Sequence, residues 1–499
     1  MPENVRKARL ELCAMLAVCV SFILLNLFSG GRYPNVGETE VMYADPAINL
    51  CNEGAFVSTA WPLQRRDEFW AGNVPLHAVV LCGWLHLCGV SPLAVRSLSY
   101  VLVCISGIVL WRVLLRTRWV PTAVWRLAAV GLFIADCGLT FSYRIGRPDG
   151  LTILVAMLLL WAGVSLKDTR RVFAIFILGV IAPAAGIQLV VYIAVIAALL
   201  IAFWRATYFR DLLAVFAGVA CGIGALWALY SANDVLDAFT ASVIGGQSML
   251  GDKGFTQKIA NALEEIRVDA GGVVKNPSFL ILASVLGVVA VSSWRQGTLR
   301  QQPELVVGIV AGISCPAVLF LLGLFPVYYS WMVMLPVSVC LASAFSRRYA
   351  CLAHSRTRLG LICLLVISAC FGLPAATIMS LYEWEGRDYQ YAQDFVSKNV
   401  TTHDAVLCDY SAYYAVRDCT RNVFLPGYVQ QMSSEEKDGV TCIILHPWHR
   451  DEYCEKIGGR WSDALDLHVV GHGGWVWGIK GSLPFELYDL RVYRRRPES

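Results

Sequence analysis

Charged residues are scarce in this 499-residue chain, where they make up 16% of the sequence against 57% hydrophobic residues. Soluble domains carry about 25% charged and about 45–50% apolar residues. A globule of 55.0 kDa cannot bury the apolar surface that a mean hydropathy of +0.56 implies. The composition therefore predicts an integral membrane protein.

Several familiar motifs are also missing. The sequence contains no basic arm, no low-complexity tail, no phosphate-cradling glycine loop and no nucleophile elbow. Nucleic acid is therefore not an expected partner, and a cytosolic enzyme that uses a nucleotide sugar is not expected either. The 17 cysteines include no Cys-x-x-Cys pair, and many lie in apolar runs as small hydrophobic residues.

Apolar runs long enough to cross a bilayer, which takes about 20 residues, recur along residues 1–382. They occupy residues 10–28, 93–115, 122–142, 150–166, 172–204, 211–231, 277–294, 304–325, 327–346 and 358–380. The run at 172–204 is too long for one helix and is interrupted between Pro183 and Gly186, so we expect two helices there. The sequence predicts an all-α, polytopic membrane domain with about eleven spans, the first of them retained rather than cleaved as a signal peptide.

Basic residues at alternate connections predict the orientation of this domain. They cluster at residues 6–9, 112–126, 167–171, 205–210, 295–300 and 347–358. Because cytoplasmic connections are enriched in Lys and Arg, we expect the N-terminus in the cytoplasm and the C-terminus outside it. A first loop at 29–92, a second at 232–276 and a tail at 383–499 then lie on the extracytoplasmic side.

Two short helices are expected in the first loop. Asp45 and Pro46 begin a segment that ends at Gly54, a pattern typical of a helix capped by Asp45. A second apolar stretch begins at Asn73 and is too short to span, ending at about Cys88. With tryptophans nearby, both helices are predicted to lie in the membrane interface.

The tail alternates helical and strand-like segments, which predicts a small extracytoplasmic α/β domain. We expect a helix at 391–396 and strands at 405–408, 440–445 and 486–493. Its cysteines allow three disulfide pairings, and the sequence does not choose among them: Cys408, Cys419, Cys442 and Cys454. Because it has no acidic cluster near the membrane, we expect no catalytic residue there.

The few acidic residues at the outer membrane surface form two groups. The first follows the first span and comprises Glu38, Glu40 and Asp45, and the second is Asp149, close to Arg144 and Arg147. Carboxylates there are costly unless they are paired or functional. They can deprotonate an acceptor or hold a metal ion, and arginines bind phosphate oxygens bidentately. The combination suits an enzyme that acts on a phosphorylated lipid.

Each of these residues also has a structural interpretation. Asp45 and Asp149 are equally suited to cap helices, and one of the two glutamates fits a solvated surface group. The two arginines fit side chains that extend to lipid headgroups.

The order of features resembles the GT-C membrane glycosyltransferases, especially the aminoarabinose-transferase and protein mannosyltransferase branch of bacterial families 39 and 83. Their acidic motif is matched by Gly37-Glu38-Thr39-Glu40, and their Pro-Pro-Leu motif by Val74-Pro75-Leu76. A later Ala-x-Arg is matched by Ala94-Val95-Arg96, and a second acidic residue by Asp149. The resemblance covers about residues 1–380.

The resemblance implies transfer of a sugar from a polyprenyl-phosphate-linked donor to a lipid, glycan or protein acceptor, at the extracytoplasmic face of a bacterial inner membrane. It implies Glu38 or Glu40 as the base and Asp149 as the residue that orients the acceptor. No cofactor is required by it, although Glu40 and Asp149 would be the ligands if a divalent metal ion takes part.

The sequence departs from this family in two places. Gly37 occupies the first position of the acidic pair, and Asn73 replaces the lysine that precedes Pro-Pro-Leu. Phosphate binding would then need other donors, which are Arg144, Arg147 or a base in the second loop: Lys253, Lys258 or Arg267. Asp45, Asn73 and His77 are further candidates for binding the substrate.

Two other classes of function stay open. A transporter or flippase predicts internal repeats and polar residues at the middle of the spans, where this sequence has few charges. A non-catalytic envelope assembly protein needs no pair of carboxylates.

Overall fold

The structure is a computed structural model in which residues 3–204, 209–245, 277–299, 302, 305–306, 308–314, 329–347, 352, 354–382, 384–471 and 485–496 are described. Lys253, Lys258, Arg267 and much of the predicted span at 304–325 lie outside these residues.

Apolar helices build the N-terminal part of the chain. They are α1 (Glu3–Ser29), α2 (Glu38–Glu53), α3 (Leu76–Cys88), α4 (Pro92–Thr117), α5 (Ala123–Ile134), α6 (Cys137–Arg144), α7 (Asp149–Ser165), α8 (Asp168–Ala185), α9 (Ile187–Trp204), α10 (Phe209–Ala232), α11 (Leu236–Thr240), α12 (Pro277–Arg295), α13 (Trp331–Arg347), α14 (Ser355–Cys370) and α15 (Leu373–Leu381). The long run at 172–204 is divided at Gly186, which confirms the two helices predicted there.

Three of the described helices, α1, α4 and α10, are long and apolar enough to cross a membrane alone. Two bent pairs also qualify if each is counted as one span: α5 with α6, at 55°, and α14 with α15, at 47°. A multi-pass membrane protein is thus confirmed, whereas the count of eleven spans stays a prediction.

The two bends contact each other. A Cβ atom placed on Gly372, between α14 and α15, would lie 1.6 Å from the carbonyl oxygen of Ala135, between α5 and α6. Only a glycine allows this approach of the two backbones. Asp136 then begins α6, because its carboxylate accepts hydrogen bonds from the Leu139 amide and the Ser330 hydroxyl.

The helix α2 begins earlier than the sequence predicted. It starts at Glu38, so Asp45 is not its N-cap but lies in its middle, and only the end at Gly54 is as predicted. Pro46 has no N–H group that could donate to the carbonyl oxygen of Met42, one turn earlier in the helix. This oxygen accepts a 2.9 Å hydrogen bond from the Trp61 indole instead, so the proline is tolerated.

The tail contains helices and a five-stranded sheet, which confirms the predicted mixture of helices and strands, whereas its being a separate extracytoplasmic domain stays a prediction. Its helices are α16 (Gln390–Asn399), α17 (Tyr413–Cys419), α18 (Ser434–Gly439) and α19 (Arg450–Ile457), and its strands are β1 (Val406–Cys408), β2 (Val423–Phe424), β3 (Cys442–Leu445), β4 (Trp461–Gly471) and β5 (Phe485–Arg495). The sheet order is β2-β1-β3-β5-β4, with β1 parallel to β2 and β3, and β5 antiparallel to β3 and β4. Three of the four tail cysteines considered for disulfides are free thiols: Cys408, Cys419 and Cys442.

One apolar core joins the tail to the membrane helices. Val41 of α2, Leu98 of α4, Ile153 of α7 and Val406 of β1 all belong to it and are buried. The tail therefore packs directly on the first loop, which places its residues near the predicted site.

Candidate active site

Asp149 is fully buried at the start of α7. It does not cap the helix. Its Oδ2 atom accepts hydrogen bonds from the Ser142 hydroxyl at 2.6 Å and from Nε of Arg147 at 2.9 Å. Its Oδ1 atom is also buried and has no hydrogen-bond partner among the described residues. One carboxylate oxygen is therefore anchored, and the other keeps an unused capacity to accept a hydrogen bond.

His77 lies in the first turn of α3 and is 2% exposed. Its Nε2 atom is 3.2 Å from the carbonyl oxygen of Gly146, so Nε2 carries the proton and donates. Gly146 adopts the left-handed conformation, at φ 62°, in the turn that presents this carbonyl. The Nδ1 atom of His77 is buried without a partner in the part of the chain that the structure describes. Burial lowers the pKa of His77 to about 4, so the ring is neutral at neutral pH.

Tyr43 and Asn73 complete this group at its half-buried edge. The Asn73 amide donates a 3.1 Å hydrogen bond to the Tyr43 hydroxyl, and the Arg147 guanidinium lies 5.3 Å from the centre of the Tyr43 ring. The Tyr43 and His77 rings are 6.4 Å apart, edge to face. We call Tyr43, Asn73, His77, Arg147 and Asp149 the His77–Asp149 cluster.

Glu40 belongs to a different network. Nε of Arg96 lies 3.1 Å from both carboxylate oxygens of Glu40, and Nη2 lies 2.5 Å from Oε2. The hydroxyl of Tyr414, in the tail, lies 3.3 Å from Oε1. Because Glu40 is 1% exposed and Arg96 is fully buried, this is an ion pair inside the core. Such an arrangement favours a structural role for Glu40.

The other two acids of the first loop differ in environment. Glu38 is exposed at the start of α2. Asp45 is buried, and its carboxylate accepts hydrogen bonds from the Ser58 hydroxyl at 2.7 Å, the Thr59 amide at 2.8 Å and the Tyr413 hydroxyl at 2.6 Å. Asp45 therefore connects the first loop to the tail.

The two arginines predicted to bind phosphate also lie in different environments. Arg144 is buried, and its guanidinium donates to the Asn26 side chain, the Ser29 hydroxyl and carbonyl oxygens that include those of Tyr33 and Ala376. It joins α1, α6 and α15. Arg147 instead lies within the His77–Asp149 cluster.

The predicted convergence of Glu40 with Asp149 stays a prediction, but their surroundings are linked. Glu40 is one helical turn before Tyr43, which lies in the cluster. On α4, Arg96 binds Glu40, and one turn later the Ser99 hydroxyl lies 3.2 Å from the carbonyl oxygen of Arg147. The two networks are therefore adjacent.

A shared metal ion between these two carboxylates finds little support. Among the described residues, no group of three or more potential ligand atoms includes Glu40 or Asp149. Both oxygens of Glu40 already bind Arg96, so that carboxylate has little capacity left for an ion.

An open cleft in the tail, of about 670 Å³, has none of these residues in its lining. It is lined by Pro447, Trp448, Asp466, His468, Asp489 and Arg491. His468 pairs with Asp489 there, and Arg491 pairs with Asp466. We regard the His77–Asp149 cluster as the better candidate site, because its polar groups are buried and two of their atoms lack partners.

Three residues around the site were not expected from the sequence. Arg96 was noted only as part of a motif, although a charge inside an apolar run is itself a signal of a specific partner. Tyr43 and Tyr414 gave no such signal, because tyrosine is common in folded cores and Tyr414 is brought to Glu40 only by tertiary packing.

Comparison with known proteins identifies the fold. No family model and no curated protein matches the chain. Among solved structures, the chain is similar to ArnT from Cupriavidus metallidurans bound to undecaprenyl phosphate, with 12% identity, a TM-score of 0.61 and 97% of each chain covered. The apo state of the same protein matches with 12% identity and a TM-score of 0.59, over 97% of this chain and 98% of that one. The predicted GT-C architecture is thereby confirmed.

Proposed function

We propose that the chain is a membrane glycosyltransferase that moves a sugar from a polyprenyl-phosphate-linked donor to an acceptor on the extracytoplasmic side. The observation that carries the proposal is that Nδ1 of His77 and Oδ1 of Asp149 are buried without partners among the described residues, close to Arg147. Buried polar atoms without partners cost free energy, so a polar ligand is expected there. The similar fold of ArnT, solved with undecaprenyl phosphate, supports a lipid-linked donor.

Asp149 suits the role of general base better than Glu40 does. The Oδ2 atom of Asp149 is held by Ser142 and Arg147, which leaves Oδ1 to accept a hydrogen bond from the acceptor hydroxyl. In the transfer, that hydroxyl loses its proton to Asp149 as its oxygen bonds to the anomeric carbon of the donor sugar. The bond from this carbon to the phosphate oxygen breaks, and polyprenyl phosphate leaves with the electron pair.

Arg147 supplies positive charge where the phosphate leaves, which stabilises the developing negative charge. The neutral His77 ring accepts a hydrogen bond at Nδ1 from a sugar or acceptor hydroxyl. Tyr43 and Asn73, at the half-buried edge, contact the sugar or the phosphate. Glu38 is the second candidate for the base, because it is exposed near the start of α2.

The extracytoplasmic location of this chemistry rests on the alternating basic residues. The test is a reporter that is fused after Ser499 and is active only in the cytoplasm. A silent reporter supports the orientation, and an active one means that a span has been miscounted.

The function is tested with purified protein in lipid nanodiscs, labelled polyprenyl-phosphate sugars and an extract of membrane lipids and glycans. Wild-type protein should transfer the label, and Asp149→Asn should reduce the rate by about 10²–10⁴ while it still binds the donor. Arg147→Ala should weaken donor binding. Asp234→Asn is the matched control, because Asp234 is exposed and asparagine tolerates its left-handed backbone.

Three outcomes would overturn the proposal. Equal transfer rates for wild type and Asp149→Asn would show that Asp149 is not the base. Movement of an intact labelled donor across the bilayer without transfer would favour a flippase. The absence of both transfer and movement would favour a non-catalytic envelope protein.

A further inference from the structure

Three side chains that commonly bind metals meet between α2 and α3. Cys51 of α2 and Cys82 and His86 of α3 place their ligand atoms within 4.8 Å of one another. The Sγ atom of Cys51 is 3.4 Å from Nδ1 of His86. Cys82 and His86 are four residues apart, so they project from the same face of α3.

We propose that Cys51, Cys82 and His86 bind a divalent metal ion of borderline softness, with Zn²⁺ as the best match. Two thiolates and one imidazole form a donor set that zinc prefers over Mg²⁺ or Ca²⁺. Zn–S bonds of about 2.3 Å and Zn–N bonds of about 2.0–2.1 Å, in a tetrahedron, separate the sulfur and nitrogen ligand atoms by roughly 3.5–3.8 Å. The 3.4 Å contact between Cys51 and His86 is already close to this range.

The site is accessible to an ion from solution. Cys51 and Cys82 are half-buried, and His86 is exposed. The residues differ in this respect from Cys408 and Cys442, which are buried in the tail sheet. With three protein ligands, the fourth position of the tetrahedron is left for water or for an external ligand.

The ion would fix α2 against α3. Tyr43 and Cys51 lie eight residues apart on α2, or about 12 Å, and His77 and His86 lie a similar distance apart on α3. Because Tyr43 faces His77 and Cys51 faces His86, the two helices run in the same direction. The metal therefore lies about two to three helical turns along α2 and α3 from the His77–Asp149 cluster, and it sets the spacing of the helices that carry Tyr43 and His77.

The experiment uses the full-length protein, purified in detergent without chelator from cells supplied with zinc. Elemental analysis should find about one zinc per chain. After exchange of zinc for Co²⁺, the absorption spectrum should show thiolate-to-cobalt charge-transfer bands and the intense visible bands of a tetrahedral site. Cys51→Ser, Cys82→Ser and His86→Ala should each lose most of the bound zinc and change this spectrum.

Cys88→Ser is the matched control, because Cys88 is exposed and ends the same helix. It should keep the full zinc content. If the ligand variants fail to fold, the spectrum of the wild-type cobalt form still shows whether the protein binds the metal through thiolates, because thiolate charge-transfer bands require cysteine ligands. Removal of zinc from wild type by a chelator should lower the melting temperature by several degrees and should not do so in folded ligand variants.

The proposal is overturned if the wild-type protein contains less than about a tenth of an equivalent of zinc and shows no cobalt–thiolate bands. It is also overturned if peptide mapping without reductant finds Cys51 and Cys82 joined as a disulfide in the native protein. Equal zinc loss in Cys88→Ser would place the bound metal elsewhere.

Discussion

The Arg96 guanidinium holds both carboxylate oxygens of Glu40, and its Nη1 atom donates to the carbonyl oxygens of Gly30 at 2.6 Å and Pro34 at 2.8 Å. The pair therefore ties α4 to α2 and to the segment that leaves α1. Tyr414 adds a contact from the tail. Four parts of the chain meet at one buried charge pair, next to the proposed site.

Glu40→Gln should destabilise the protein more than it changes the chemistry of transfer. Removal of one partner from a buried ion pair costs about 3–5 kcal/mol, because the remaining charge stays buried without compensation. The measurement is thermal unfolding in detergent, together with the transfer rate of the protein that remains folded. The control is Glu38→Gln, which changes an exposed side chain and should shift stability by about 0.5 kcal/mol or less.

The opposite result for Glu40→Gln would be informative. A variant with wild-type stability and donor binding, but with transfer reduced by about 10²-fold or more, would identify Glu40 as the base. The role assigned to Asp149 would then be wrong.

His77→Gln should distinguish the roles of the two ring nitrogens of His77. The amide nitrogen of glutamine can still donate to the Gly146 carbonyl, but its carbonyl oxygen, which is the only acceptor of the side chain, does not occupy the position of Nδ1. We expect slower transfer with near-normal folding at pH 7. A variant with an unchanged transfer rate would show that Nδ1 has no part in substrate binding.

The pH dependence of stability provides a second readout for His77. Its pKa is lowered to about 4 by burial, whereas that of histidine in an unfolded chain is about 6.5. Between these values the unfolded chain takes up a proton and the folded protein does not, so stability falls as the pH decreases from about 6.5 to about 4. The contribution is fully present above pH 6.5. His77→Gln should lose this part of the pH dependence, as measured by unfolding from pH 4 to 8.

The membrane helices were predictable because their signal is local. Long apolar runs and the interruption at Gly186 are read directly from the sequence. The predicted start of α2 was wrong because Asp45 and Pro46 are as typical of a helix N-terminus as of the helix interior that they occupy. Only the contact between Trp61 and Met42 explains why the proline is tolerated inside the helix.

Parts of the candidate site could also be predicted. Asn73, His77, Arg147 and Asp149 were all among the candidates, and the structure brings them together. The pairing of Arg96 with Glu40 could not be predicted, since the two residues are 56 positions apart and lie on different helices. The same holds for the tail, whose tyrosines reach Asp45 and Glu40 although no catalytic role was expected of it.

Tyr413→Phe should loosen the tail from the first loop. The Tyr413 hydroxyl donates a 2.6 Å hydrogen bond to Asp45, and both residues are buried. Loss of a hydrogen bond to a charged group costs about 1.5–3 kcal/mol. Limited proteolysis of the tail should become faster, and the unfolding temperature should fall. Tyr391→Phe is the control, because Tyr391 is 43% exposed, and equal effects of both changes would contradict the docking role of Tyr413.

Gly372→Ala tests the contact between the two helix bends. The added Cβ atom would lie 1.6 Å from the Ala135 carbonyl oxygen, so the backbones of the bent pairs would have to separate. Overpacking of this kind costs about 1–3 kcal/mol or more. The matched control is Gly360→Ala on α14, where an added Cβ meets nothing within 4 Å and should stabilise the helix by about 0.5–1 kcal/mol. Thermal unfolding of the two variants should therefore shift in opposite directions, and a shift in the same direction would mean that the bends do not pack as described.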